Sequence, residues 1–134
     1  MLKNGITLIV EVKTKSPFGF KSPQTFEENF ALANRYGDII SIHTDEHWGG
    51  SFELLKKARA LTDKTILAKG IHKTDEEIKL ALDCGANLVL VVGRIPKGFS
   101  AETLLIEPLS LAELKTIPIE YKIVWNARNL ETGK

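Results

Sequence analysis

The run Leu8-Ile9-Val10-Glu11-Val12-Lys13 constrains this chain more than any other stretch. It is apolar and β-branched, as a strand buried on both faces is, yet it carries Glu11 and Lys13 two residues apart. Side chains at i and i+2 leave a strand on the same face. A carboxylate and an ammonium therefore stand side by side at the C-terminal end of a buried strand, just before Ser16-Pro17 and Gly19 turn the chain into a loop. Unpartnered buried charge is costly. The pair is either a structural ion pair or part of a site that meets further charges, water or a ligand. In α/β folds the C-terminal ends of parallel strands carry the chemistry.

The device recurs along the chain. Further strands are expected at Ile39-Ile40-Ser41-Ile42-His43, at residues 64–70 ending in Lys69, at residues 87–92, at residues 103–107 ending in Glu107, and at residues 121–126 ending in Asn126. Helices fall between them. Ser22 as N-cap with Pro23 behind it opens the first, Phe26, Phe30 and Ala33 form its apolar stripe, and Gly37 ends it. Ser51 caps the second. Thr74-Asp75-Glu76-Glu77 and Ser110-Leu111-Ala112-Glu113 are capping boxes, the latter opening only a turn or two before Pro118. Residues 94–102 leave no room for a standard helix. Such a βα rhythm argues for an α/β chain, a parallel sheet with helical crossovers. The 134 residues form one expected domain, residues 1–134.

Composition excludes several functions. Net charge is +1, so nothing electrostatic points to nucleic acid or to an anionic membrane. Lys56-Lys57 with Arg59 reads as a solvated helix face. The one cysteine, Cys84, excludes an internal disulfide and reads as a buried inert thiol. No apolar run reaches the length of a membrane span, and the N-terminus has no signal-peptide form. A soluble, cytoplasmic protein is expected.

In a parallel barrel the strand ends converge on one face. Glu11, Lys13, Lys69, Glu107, Asn126 and Arg128 would then share a rim, two lysines near two carboxylates, as general acid–base chemistry requires. Lys15, Ser16 and Arg128 would suit an anion such as a phosphate. His43 and His47 straddle a strand end and a loop and, even with His72, lack the spacing of a metal site, so no metal is expected. Trp48 either caps the rim or stacks on an aromatic ligand. Trp125 alternates outward from Asn126, toward a helix. Phe18 and Phe20 are core or lid residues.

Several stretches carry a resemblance to the indole-3-glycerol-phosphate synthase family, among the ribulose-phosphate-binding barrels. Glu11-Val12-Lys13-Thr14-Lys15-Ser16-Pro17 looks like its first-strand signature. Thr44-Asp45-Glu46 with Trp48-Gly49-Gly50-Ser51 is similar to its second loop, Ile66-Leu67-Ala68-Lys69 to its third strand, and Asn126-Ala127-Arg128-Asn129-Leu130-Glu131-Thr132 to its sixth strand and loop. Gly70-Ile71 stands where the family has an acid–aromatic pair, little precedes the first strand, and about six strands are expected where the family has eight. The fold implied is an incomplete or trimmed barrel of the TIM type.

The resemblance implies a carbon–carbon lyase of tryptophan biosynthesis, closing and decarboxylating an anthranilate-derived sugar phosphate without metal or organic cofactor. Lys69 would be the general acid, Glu107 the general base, and Lys13 the contact for the substrate carboxylate, with Glu11 and Asn126 orienting groups. Ser16 and Arg128 would hold the phosphate, and Trp48, Leu90 and Leu130 would line the anthranilate pocket. The alternative is a non-catalytic sugar-phosphate-binding or assembly module that keeps the rim as an ion network. Exposed sheet edges would call for a homo-oligomer or a partner chain. A sugar-phosphate isomerase of the same barrel group is disfavoured by the third-strand lysine and the Asn126/Arg128 pattern.

Overall fold

The computed structural model describes residues 5–126. Their strands are β1 (Ile9–Val12), β2 (Ile39–His43), β3 (Thr65–Lys69), β4 (Leu88–Val92), β5 (Leu104–Glu107) and β6 (Lys122–Ile123). The helices are α1 (Phe26–Tyr36), α2 (Phe52–Leu61), α3 (Asp75–Asp83) and α4 (Leu111–Thr116). The strands form one sheet in the order β1-β2-β3-β4-β5-β6, every neighbouring pair parallel. Helices α1, α2 and α3 bridge the first three strand steps and α4 the last. Between β4 and β5 there is only a loop with a 3-10 turn, Ala101–Thr103. This is an α/β, parallel βα array consistent with a trimmed barrel of the TIM type.

Hydroxyl caps start each helix. Ser51, Thr74 and Ser110 accept from the backbone N–H three residues on, satisfying one of the donors a helix end leaves unpaired. The first helix starts later than Ser22-Pro23 predicts. Thr25 accepts from the Glu28 N–H, and the Glu28 carboxylate accepts from the Thr25 N–H. This reciprocal box satisfies two donors at once, whereas Ser22 accepts from the Gln24 N–H in the preceding loop.

Each of the first three helices buries a short stripe, Phe30 with Ala33, Leu55 with Ala58, Ile78 with Ala81. The i, i+3 spacing puts each pair on one face. These side chains pack on Val12, Ile40, Ile42, Ile66, Ala68, Val89, Val91, Leu104 and Ile106, one parity of every strand from β1 to β5. The opposite parity holds a smaller cluster, Leu67, Leu88 and Leu90 with Ile39, Val92, Leu105 and Val124.

The edge strands differ from expectation. β1 spans four residues, and Leu8 and Ile9 are each 48% exposed, leaving Val12 as its core residue. β6 spans two residues, both exposed. Among the described residues each pairs on one side only, so neither reaches the burial its apolar composition suggests. Arg59 is likewise no solvated charge. Its guanidinium donates to the carbonyls of Thr62, Lys64 and Gly85 and to Asn87 Oδ1, at 2.6–3.1 Å. It ties the end of α2 to the starts of β3 and β4. Lys64 does the same for the end of α1, donating to Gly37 O at 2.7 Å. Cys84 ends α3 half-buried, its thiol pushed up by burial. Among the described residues no helix is long and apolar enough to cross a membrane.

Ile66 is fully enclosed between the helices and the sheet. Ile66→Ala should cost about 2–5 kcal/mol, read as a lowered urea midpoint. A midpoint unchanged from the parent would contradict this packing.

Candidate active site

Strand parity builds the site. With the helix-facing parity spent on the core, Glu11, Ser41, Leu67, Lys69, Leu90, Leu105 and Glu107 face the concave side and line a cavity of about 430 Å³, together with Trp125 and Asn126. A second lobe of about 380 Å³ shares Glu11, Lys69, Leu90, Glu107 and Asn126 and adds Lys13, His43, Asp45 and Trp48. Register aligns the polar groups in steps. Glu11 pairs with Ser41, His43 with Lys69, and Val92 with Glu107.

Glu11 is the hub. Lys69 Nζ donates to its Oε1 at 2.6 Å, and Lys13 Nζ lies 3.8 Å from its Oε2. His43 Nε2 lies 3.0 Å from Oε1, a close contact set off the straight hydrogen-bond line. The His43 imidazole first, then the Lys69 ammonium, holds the Glu11 carboxyl down from 4.5 to about 2, against the opposing effect of burial. Ser41 Oγ is buried on the same side and has no hydrogen-bond partner among the described residues. Buried polar groups ordinarily have one, and the cavity is where this hydroxyl would find it.

Aromatic rings wall the second lobe. The Trp48 indole stacks on the His43 imidazole, centroids 5.5 Å apart and planes 8° from parallel. Phe18 meets Trp48 edge-on at 6.0 Å. Lys13 Nζ lies 5.3 Å from the ring centroids of both Phe20 and Trp48, contacts worth about 0.5–1 kcal/mol each at exposed sites. Phe18 is 78% and Phe20 47% exposed, so neither belongs to the core. The glycines after Trp48 make this approach possible. Gly49 has φ 77°, and a Cβ there would lie 1.9 Å from Thr14 Oγ1. A Cβ on Gly50 would lie 2.0 Å from the His43 carbonyl oxygen.

The other two histidines have local partners. His47 Nδ1 contacts Asp45 Oδ1 at 2.8 Å. The Asp45 carboxyl is lowered first by the His47 backbone N–H. His72 is buried with φ 51°, its Nδ1 2.7 Å from Leu90 O and its Nε2 2.9 Å from Thr44 Oγ1. Burial pushes its pKa down. The Leu90 carbonyl fixes the proton on Nδ1, and the neutral ring locks the loop after β3 against β4.

Of the residues expected at the rim, Lys69, Glu107, Lys13, Glu11, Asn126, Trp48 and Leu90 line the two lobes. Ser16 does not. Its hydroxyl accepts from the N–H groups of Phe18 and Phe20 at 3.2 and 3.3 Å, shaping the first loop. Arg128 and Leu130 lie outside the described residues. Trp125, expected against a helix, lines the cavity and is 46% exposed. It lies beyond β6, where strand alternation no longer governs direction. His43 is the rim residue that sequence reasoning missed. The signal was its parity with Ser41 on β2.

Fold and site together define a parallel βα protein of barrel type whose acid–base groups gather at the C-terminal ends of its strands. Residues 1–112 match the indole-3-glycerol phosphate synthase family, and the chain belongs to it. The match takes in β1 to β5 and Glu107, while Asn126, Arg128 and Leu130 fall beyond it. The indole-3-glycerol phosphate synthase of Staphylococcus haemolyticus is 34% identical over 103 residues, 71% of this chain and 38% of that protein. That of Sulfurisphaera tokodaii is 35% identical over 95 residues, 69% of this chain and 38% of that protein. That of Staphylococcus aureus strain JH1 is 31% identical over 93 residues, 67% of this chain and 36% of that protein. The chain thus spans less than two fifths of the length of these curated relatives.

The lowered Glu11 carboxyl has a consequence for stability. Its folded-state pKa lies below its unfolded value, so its contribution is complete above about 4.5 and is lost as pH falls toward about 2. Glu11→Gln should flatten the acid limb of stability in that window and cost on the order of 1–2 kcal/mol at neutral pH, after screening of this part-exposed group. Urea midpoints against pH check this. Parallel curves for the two proteins would contradict it.

Proposed function

We propose that this chain carries the acid–base face of an indole-3-glycerol-phosphate synthase, a cytoplasmic carboxy-lyase of tryptophan biosynthesis. The substrate is 1-(2-carboxyphenylamino)-1-deoxyribulose 5-phosphate, which the reaction closes and decarboxylates. The observation that carries the proposal is the meeting of Lys69, Glu11, Lys13, Glu107 and Asn126 around one cavity at the strand ends. Lys69 donates a proton to the substrate carbonyl oxygen as the aryl carbon closes on that carbonyl and carbon dioxide leaves. The hydroxyl so formed takes a second proton and departs as water, with one proton lost from the new ring. Glu107 is the base of that dehydration. Lys13 meets the substrate carboxylate, and Glu11 and Asn126 orient the groups around it. Trp48 and Leu90, with Leu130, supply the apolar slot that an anthranilate ring needs. Arg128 contacts the phosphate, while Ser16, whose hydroxyl is engaged by the Phe18 and Phe20 N–H groups, shapes the loop beside it.

One observation favours the second reading, a non-catalytic module that binds a sugar phosphate: Lys69 is already committed to Glu11 at 2.6 Å. In either case another chain, most simply a second copy, covers the open side of the sheet, where Ile9 and Trp125 stand 48% and 46% exposed. Light scattering should then give a molar mass above one chain, and a monomer would contradict it.

Incubation with the substrate, followed by indole fluorescence, tests the activity. Turnover should appear and fall about 10²-fold or more in Lys69→Ala. Equal silence of both proteins, with binding of the sugar phosphate retained, would overturn the enzyme reading in favour of the second.

A further inference from the structure

His43 has no role in the reaction as set out above, yet it is the most enclosed of the groups paired with Glu11. Its side chain is 6% exposed, against 31% for Lys13 and 43% for Lys69. Three constraints hold it. Its backbone pairs with Lys69 in the sheet. Its carbonyl accepts from the Ser51 N–H at 3.1 Å under the close approach of Gly50. Its ring lies flat on Trp48. An imidazole held at three points in this way has little room to swing, and its Nε2 stays 3.0 Å from the oxygen of Glu11 that Lys69 also contacts, off the straight hydrogen-bond line.

Fixed geometry matters because the other two partners are flexible. Lys13 and Lys69 sit on long stems with about 2 kcal/mol of rotamer entropy, and they approach different oxygens of the same carboxylate. Left to the lysines alone, the carboxylate would rotate between them. We propose that His43 is a positioning residue for the rim. Its Nε2–H faces Glu11 Oε1 and fixes the carboxylate plane so that this oxygen meets Lys69, while its ring fixes the Trp48 wall beside Lys13. The charged groups around it are Glu11 and Lys13 from β1 and its end, Lys69 from β3, and Asp45 from the loop that follows His43. The consequence for turnover rests on the synthase reading, but the geometric claim does not.

The test uses the 134-residue chain and carbon-13 NMR titration of the Glu11 carboxyl in the parent, in His43→Leu and in His43→Gln. Leucine removes the donor and keeps the bulk, while glutamine keeps a side-chain N–H. The Glu11 midpoint should rise toward the ordinary carboxylate range in His43→Leu and stay low in His43→Gln. An unmoved midpoint in His43→Leu overturns the proposal, whether or not the chain turns over substrate. Nitrogen-15 shifts of the parent imidazole require no variant to fold. Nε2 should carry a proton at neutral pH, and a bare Nε2 overturns the proposal. Where turnover is measurable, His43→Leu should lower kcat about ten-fold with little change in KM, and His43→Gln should restore most of it. A rise in KM alone would make His43 a wall of the pocket and overturn the positioning role. A silent parent whose Glu11 midpoint still moves in His43→Leu counts against the synthase and for the positioning role.

Discussion

One carboxylate organises the rim. Glu11 accepts from the Lys69 ammonium on one oxygen, which the His43 imidazole also approaches to 3.0 Å, and faces Lys13 with the other. A part-buried carboxylate would be costly without partners, and two lysines beside it would repel one another without the carboxylate. Each group therefore makes the burial of the others tolerable. Such an arrangement can form only where strand parity and parallel register deliver side chains from three neighbouring strands to one side of the sheet. The sheet is thus the precondition of the site, and the outer core of Ile40, Ile66, Val89 and Ile106 against the helices is the precondition of the sheet.

The two ends of the strands do different work. At the N-terminal ends, Arg59 and Lys64 are spent on backbone carbonyls at the junctions of helix and strand. Those contacts are local and saturated. At the C-terminal ends the polar groups face a cavity, and Ser41 still has an unanswered hydroxyl among the described residues. This asymmetry is what a parallel βα array produces, and it separates charges that hold the chain together from charges that face a cavity.

Much of this was legible in the residues, for identifiable reasons. Apolar β-branched runs located β2 to β5 closely, because central strands are buried on both faces and their composition shows it. Leu8, Ile9 and the stretch around Trp125 look equally apolar, but composition does not say which strands lie at the edges, and there the burial falls away. Ser22-Pro23 and Thr25-x-x-Glu28 are both acceptable helix starts, and the one that satisfies two backbone donors prevails. Lys69, Glu11 and Glu107 are found by combining strand end with parity. His43 obeys the same rule, but treating the histidines as a trio of metal ligands hides it. Arg59 looks like a solvated charge because its acceptors, the Thr62 and Lys64 carbonyls just past the helix and Gly85 O and Asn87 Oδ1 far along the chain, form no pattern that the sequence displays.

The central claim is that Lys69 and Glu11, 58 residues apart in the chain, are energetically joined at the rim. A double-mutant cycle of Lys69→Met and Glu11→Gln, read by urea denaturation at low ionic strength, measures that link alone. The account predicts a coupling free energy of about 1 kcal/mol between the two sites. Strictly additive effects would contradict it.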